Sequence, residues 1–284
     1  MILSRQISFA VIFSFLLCGC GAKKKDLHFS DSARYGLSDP VVMKLPQALD
    51  EISGVYYYPK DTSVFAIIDE DGLLFKISLN KNQPIKKWVF DKKRDFEDVI
   101  LKDSVFYVLV SNGDVETIRF GAKDSIITGR IKFPDASKKI NEFESLYYDD
   151  SLKQMILLCK NCEDDDSKVV TAWGLDLATQ QYTPVFTIDM KPIAEMIGER
   201  KLKLKPSAAA INPATGELYI LSSIAHLLVV TDRKGTLKEL YHLDPTLYKQ
   251  AEGMAFTPAG DLIISNESHE VGSGTILLIK NKKK

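Results

Sequence analysis

Five times along the chain a turn-rich stretch gives way to a solid apolar run: Val64–Ile68, Val105–Val110, Met155–Leu158, Leu218–Leu221 and Leu262–Ile264. After each run comes a turn and a third β-like segment: Leu73–Leu79, Asp114–Phe120, Val169–Leu177, Leu227–Thr231 and Thr275–Ile279. In four cases a fourth segment follows: Ile85–Phe90, Ile126–Phe133, Pro184–Ile188 and Leu237–Leu243. Short apolar runs bounded by turn residues predict strands. The segments that open the units also resemble one another. They are Glu51-Ile52-Ser53-Gly54-Val55, Asp95-Phe96-Glu97-Asp98-Val99, Glu142-Phe143-Glu144-Ser145-Leu146, Lys205-Pro206-Ser207-Ala208-Ala209 and Gln250-Ala251-Glu252-Gly253-Met254. Their third positions lie 44, 47, 63 and 45 residues apart.

Four antiparallel strands per ~45 residues is the pattern of a β-propeller blade. The fifth unit stops after its third strand. Its missing partner stands at the other end of the chain, where Val41-Val42-Met43-Lys44-Leu45-Pro46 resembles Arg130-Ile131-Lys132-Phe133-Pro134. The expected fold is therefore all-β, a propeller of five four-stranded blades over residues 40–281, closed by an N-terminal strand. The 63-residue step leaves room for a sixth, degenerate blade. An insertion is preferred there, because Ile193, Met196 and Ile197 within Lys191–Lys203 fall at helical spacing.

The first residues follow a different pattern. Met1–Gln6 carries one positive charge, Arg5, and Ile7–Leu17 is apolar apart from Ser8 and Ser14. Eleven residues are too few for an ordinary membrane-spanning helix and suit the apolar region of a signal peptide. Leu17-Cys18-Gly19-Cys20 resembles the bacterial lipobox. That resemblance implies a signal peptide at 1–19, lipidation at Cys20, and a linker at 20–39. The domain would then lie outside the cytoplasm, anchored to an outer or plasma membrane. Several acyl chains on one cysteine anchor a protein stably where one chain does not.

Charge narrows the choice of partner. Lys and Arg number 37 against 38 Asp and Glu; setting aside Arg5, Lys23–Lys25 and Lys282–Lys284 leaves 30 basic residues against 38 acidic. A mildly acidic body argues against a nucleic-acid surface. Of four cysteines, Cys159 and Cys162 remain after processing and lipidation. A single C-x-x-C makes no zinc site alone. An oxidising compartment favours a disulfide over two free thiols. Bridging i and i+3 would require a turn, since an extended strand holds them too far apart.

In a propeller the first strand of each blade lines the channel. The third motif residues, Ser53, Glu97, Glu144, Ser207 and Glu252, should therefore occupy equivalent places around one mouth. The ends of the second strands return to that mouth and bring Asp69, Lys160 and Glu267. Converging carboxylates repel, and burying them unpaired is costly. Glu97, Glu144 and Glu252 are the candidate ligands of a hard cation, for which oxygen donors favour Ca²⁺ or Mg²⁺. The alternatives are neutralisation by Lys160 or Lys205, raised pKa values, a cationic ligand, or a wholly structural ring bonded between blades. His28, His226, His242 and His269 have no metal-ligand spacing, and no nucleophile-elbow, zincin or phosphate-loop motif is present.

The motifs at Glu51–Val55, Phe65–Gly72, Asp95–Val99, Phe143–Leu146, Lys205–Ala209 and Gln250–Ala255 through Ser265–Glu267 together resemble the SdiA-regulated, YjiK-like family of bacterial β-propellers. The resemblance runs roughly from Pro40 to Lys280. It implies a cell-envelope protein with a link to calcium and no defined reaction, and more distant kinship to phytase-like propellers. Glu97-Asp98 and Glu144-Ser145 depart from the family's usual Glu-Gly pair, which puts a glycine-dependent turn in doubt at those two blades. The expectation is a monomeric binding or scaffold module, anchored at Cys20 and open to an envelope-protein partner. The alternative is a calcium-assisted hydrolase of the phosphoesterase type.

Overall fold

The structure, a computed structural model, describes residues 31–80, 83–134, 141–165, 168–199, 202–268 and 273–283. Cys20 and the signal-like segment lie outside the described residues. The chain begins with β1 (Val41–Lys44), which stands apart from the strands next to it in sequence. Blade I follows: β2 (Ile52–Tyr58), β3 (Ser63–Ile68), β4 (Leu73–Ser78) and β5 (Lys86–Val89). Blade II is β6 (Phe96–Lys102), β7 (Val105–Val110), β8 (Val115–Phe120) and β9 (Ile126–Ile131). Blade III is β10 (Asn141–Asp149), β11 (Gln154–Cys162), β12 (Val169–Asp176) and β13 (Tyr182–Asp189). Blade IV is β14 (Ala208–Ile211), β15 (Leu218–Ser222), β16 (Leu227–Thr231) and β17 (Leu237–His242). Blade V takes β18 (Ala251–Phe256), β19 (Leu262–Asn266) and β20 (Thr275–Ile279), and β1 completes it.

Closure follows the repeat arithmetic. Strand β1 pairs antiparallel with β20, Val41 opposite Leu278 and Lys44 opposite Thr275. The ring thus joins the two ends of the chain within one blade. The long step between the third and fourth motifs holds the last strands of blade III and a helix, α1 (Met190–Ile197), with no further sheet among the described residues. Asp189 caps α1 by accepting from Lys191 N at 2.8 Å, and Gly198 ends it at φ +71°.

The apolar runs are the second strands, and their burial explains their composition. β3, β7, β15 and β19 are buried along their whole length because a neighbouring blade covers each face. The outermost strands β1, β5 and β9 are mostly exposed and correspondingly mixed. The core is accordingly five wedges between neighbouring blades rather than one centre. Tyr219, Leu221, Leu262 and Ile264 fill the wedge between blades IV and V; Phe65, Ile67, Phe106 and Val108 fill that between I and II.

Sequence placed residues 20–39 in a linker, yet Tyr35 and Leu37 are buried in the wedge between blades IV and V. Tyr35 Oη donates to Gly260 O at 2.7 Å and accepts from Asn212 Nδ2 at 2.8 Å. The packed unit therefore begins before residue 40. An aromatic at the end of a polar stretch carries no periodicity to reveal this.

Candidate functional site

The first strands run from one mouth of the channel, here the upper, to the other. Near the upper end of four of them the pairing slips by a residue. Ile52 stands opposite Ile68 and Val55 opposite Ala66, so Ser53 and Gly54 share one partner position. Phe96 faces Val110 and Asp98 faces Leu109, which leaves Glu97 as the extra residue. Glu144 and Glu252 are extra in the same way. In blade IV, Leu221 O accepts from Ser207 N at 2.9 Å while Leu221 is opposite Ala208. In blades I, II, III and V the third motif residue thus lies in a β-bulge, a feature that re-aims a side chain relative to the pleat, and in blade IV Ser207 stands just before β14.

All five third-position residues line one cup of ≈ 580 Å³, together with Asp69, Lys160 and Glu267. Every channel-mouth residue named from sequence lines that cup. So do Asp95, Glu142, Lys205, Gln250, Ser111 and Ser223. The cup holds seven carboxylates, on Asp69, Asp95, Glu97, Glu142, Glu144, Glu252 and Glu267, against three lysines, Lys160, Lys205 and Lys249. Sequence reasoning missed Ile224, His226 and Lys249. They come from the β15–β16 and β17–β18 connections, which carry no repeat signal.

The ring positions divide into two kinds. Ser53 Oγ donates to Glu97 O of the next blade at 2.6 Å, and Ser207 Oγ donates to Ala251 O at 2.7 Å. Ser265 Oγ donates to Ser53 O at 2.7 Å. These hydroxyls staple neighbouring blades. The glutamate side chains instead face the cup. Glu144 pairs with Lys160, which is itself an extra residue in β11 between Cys159 and Asn161. Glu252 accepts a hydrogen bond from the Ser223 hydroxyl, and Gln250 Nε2 donates to Glu267.

Crowding shows in the acidities. Burial, then the charges of Asp95 and Asp69, push the Glu97 carboxyl up to about 9, with Lys160 opposing. Burial and Glu267 raise Glu252 to about 7, and burial with the Asp95 carboxyl raises Asp69 to about 7. Near neutral pH the cup therefore retains protons for want of positive charge. No three of its carboxylates, Glu97, Glu144 and Glu252 included, bring oxygens within 4.8 Å of one another among the described residues. A bare ion bonded to all three at about 2.3–2.6 Å would need these side chains to close in.

The fourth motif positions show how blade II dispenses with glycine. A Cβ on Gly54 would meet Asp98 Cα at 2.4 Å, and one on Gly253 would meet Ser53 O at 2.5 Å. These glycines serve close approach between blades, and neither has positive φ. Asp98 fills that space from the other side. Its carboxylate accepts from Val99 N and from Leu146 N of the next blade, both at 2.8 Å.

Cys159 and Cys162 are joined in a disulfide with a Cα–Cα distance of 5.9 Å. No turn is needed, contrary to the expectation from spacing. The extra residue at Lys160 shortens β11 enough, where three residues of regular strand would span about 10 Å.

Known structures share this architecture. A glutaminyl cyclase from Myxococcus xanthus is 14% identical with a TM-score of 0.55, over 85% of this chain and 97% of that one. A calcium-binding protein, regucalcin, from Agrobacterium tumefaciens is 12% identical with a TM-score of 0.55, over 90% and 96%. A luciferin-regenerating enzyme is 12% identical with a TM-score of 0.52, over 86% and 96%. At such identities the likeness is one of fold alone. No curated protein sequence matches the chain significantly. The family profile described as SdiA-regulated matches residues 41–269, from the closing strand through the last bulged motif, and the chain belongs to the SdiA-regulated family.

Proposed function

We propose that this protein is an envelope-anchored binding propeller whose upper cup takes up a cation, with Ca²⁺ as the hard-cation candidate. One observation carries the reading: each blade, four of them through a bulge, brings its third motif residue to a single cavity holding seven carboxylates against three lysines. Glu97 and Glu252 supply oxygen ligands once a cation displaces the protons that burial holds on them, and Glu144 joins once Lys160 swings away. Anchoring through Cys20 rests on Leu17–Cys20 and on the short apolar run before it. No helix among the described residues is long and apolar enough to cross a membrane.

A cation bound only to the folded state stabilises by mass action, about 2.7 kcal/mol at a hundredfold excess over its dissociation constant. Calcium should raise the melting temperature of the protein and EDTA should lower it, and Glu97→Gln with Glu252→Gln should blunt the response. A calcium-insensitive melt, with no heat on titration, would sink the reading. Lys205 and Lys249 beside the acids favour a second one, calcium-assisted phosphoester hydrolysis. Turnover of p-nitrophenyl phosphate that needs calcium and is lost in Lys249→Ala would support it.

A further inference from the structure

The lower mouth of the channel has the opposite chemistry. A second cup of ≈ 410 Å³ lies where the first strands end, lined by Tyr56, Tyr57, Leu101, Tyr148 and Phe256 among others. Lys102 is its single charged lining residue. Around it, the turns between first and second strands present apolar groups to solvent. Pro59, Pro213 and Pro258 are exposed, and Leu152 at the β10–β11 turn is 45% exposed. An aromatic, apolar depression continued by exposed apolar residues on its surrounding turns marks an interaction surface.

Where the chain ends says what covers it. Tyr35 is bonded to Gly260 in the β18–β19 turn on this lower side. Asp31, the first described residue, pairs with Lys282 at 3.2 Å just beyond the lower end of β20. Eleven links separate Asp31 from Cys20, and eleven residues reach at most about 40 Å. A lipid on Cys20 therefore tethers the chain to the bilayer by way of the lower side, within that reach. Electrostatics acts in the same sense, since an anionic leaflet repels the acidic upper cup, while tyrosine rings suit the membrane–water interface.

We infer that the lower, aromatic mouth is a lipid-facing surface, so that the anchored protein rests on the bilayer with its acidic cup turned outward. The inference rests on the anchoring reading above. The test uses the full lipidated protein in vesicles of phosphatidylethanolamine and phosphatidylglycerol that carry a nitroxide lipid. Fatty-acid labelling at Cys20 is measured first. A fluorophore is then placed at Pro258→Cys or Pro213→Cys below, and at Glu70→Cys above. Quenching should be several-fold stronger at the lower sites. Leu152→Glu should reduce it several-fold, with melting temperature and fatty-acid labelling unchanged. Equal quenching above and below in a labelled protein would overturn the inference alone. A protein without fatty acid at Cys20 would overturn the anchoring reading and the inference with it.

Discussion

The two mouths are opposite ends of the same strands, yet one is a crowded set of acids and the other an aromatic cup. Register makes the difference. At the lower end of β2 the pairing is regular, Tyr56 with Phe65, Tyr57 with Val64 and Tyr58 with Ser63. At the upper end four of the five first strands are bulged. Regular pairing leaves alternate side chains to pack between blades or line the channel as the pleat dictates. A bulge frees one residue from that alternation. One added residue in each of four blades is therefore enough to gather charge at one end of an otherwise apolar ring.

The largest effect should come from breaking what both mouths share. Deleting residues 26–46 removes β1 and leaves β20 an open edge. Cooperative thermal unfolding should be lost, and with it binding at either end; a variant that melts like the parent would show that closure is dispensable.

A smaller but still large loss is expected at the upper mouth alone. Gly253→Ala puts a Cβ 2.3 Å from Ser265 Oγ and 2.5 Å from Ser53 O. Overpacking of this kind costs roughly 1–3 kcal/mol, or about 2–4 °C in melting temperature per kcal/mol for a domain of this size. Circular dichroism melts would check it.

The third test asks whether pH is felt at one end only. Glu97, Glu252 and Asp69 have raised pKa values in the folded protein. Between the unfolded and folded pKa values the native state holds more protons, so stability falls as pH rises. For Glu97 that window runs from about 4.5 to about 9. Melting temperature should drop across it, and Glu97→Gln should flatten the slope. A pH-independent melt would mean these acids are already neutralised by another route.

The smallest change belongs to the lower mouth. The Tyr147 hydroxyl is buried without a hydrogen-bond partner. Tyr147→Phe should leave the melting temperature unchanged or slightly raised, within about 1 kcal/mol, and should leave its pH dependence intact. A marked loss would reveal a partner for that hydroxyl.

The sequence displayed one mouth far better than the other. Ser53, Glu97, Glu144, Ser207 and Glu252 were legible because polar residues recurred at one motif position within apolar strands. The bulges were not, since an extra residue leaves no mark of its own in an unpaired sequence. The Cys159–Cys162 bond looked as if it needed a turn for the same reason. Ile224, His226 and Lys249 arrive on connections outside the repeat. At the lower mouth Tyr56, Leu101, Tyr148 and Phe256 read as ordinary strand interior, and only the ring geometry turns them toward a cavity. Tyr35 belongs to the core through ring contacts with Tyr219 and Phe256 that no pattern announces.

The pairing of β1 with β20 also fixes an order of events. Lys44 waits for Thr275, so the first strand to be made is the last that can pair. Joining ends so far apart costs about 5 kcal/mol in loop entropy by the (3/2)RT ln n rule. Blades I to IV contain all their own strands and can form as the chain emerges, whereas blade V cannot finish until nearly the whole chain is present. Until then β20 offers an unpaired edge to any neighbour. The interval between the arrival of Thr275–Ile279 and the return of Val41–Lys44 is the moment at which this molecule is most exposed to misassembly.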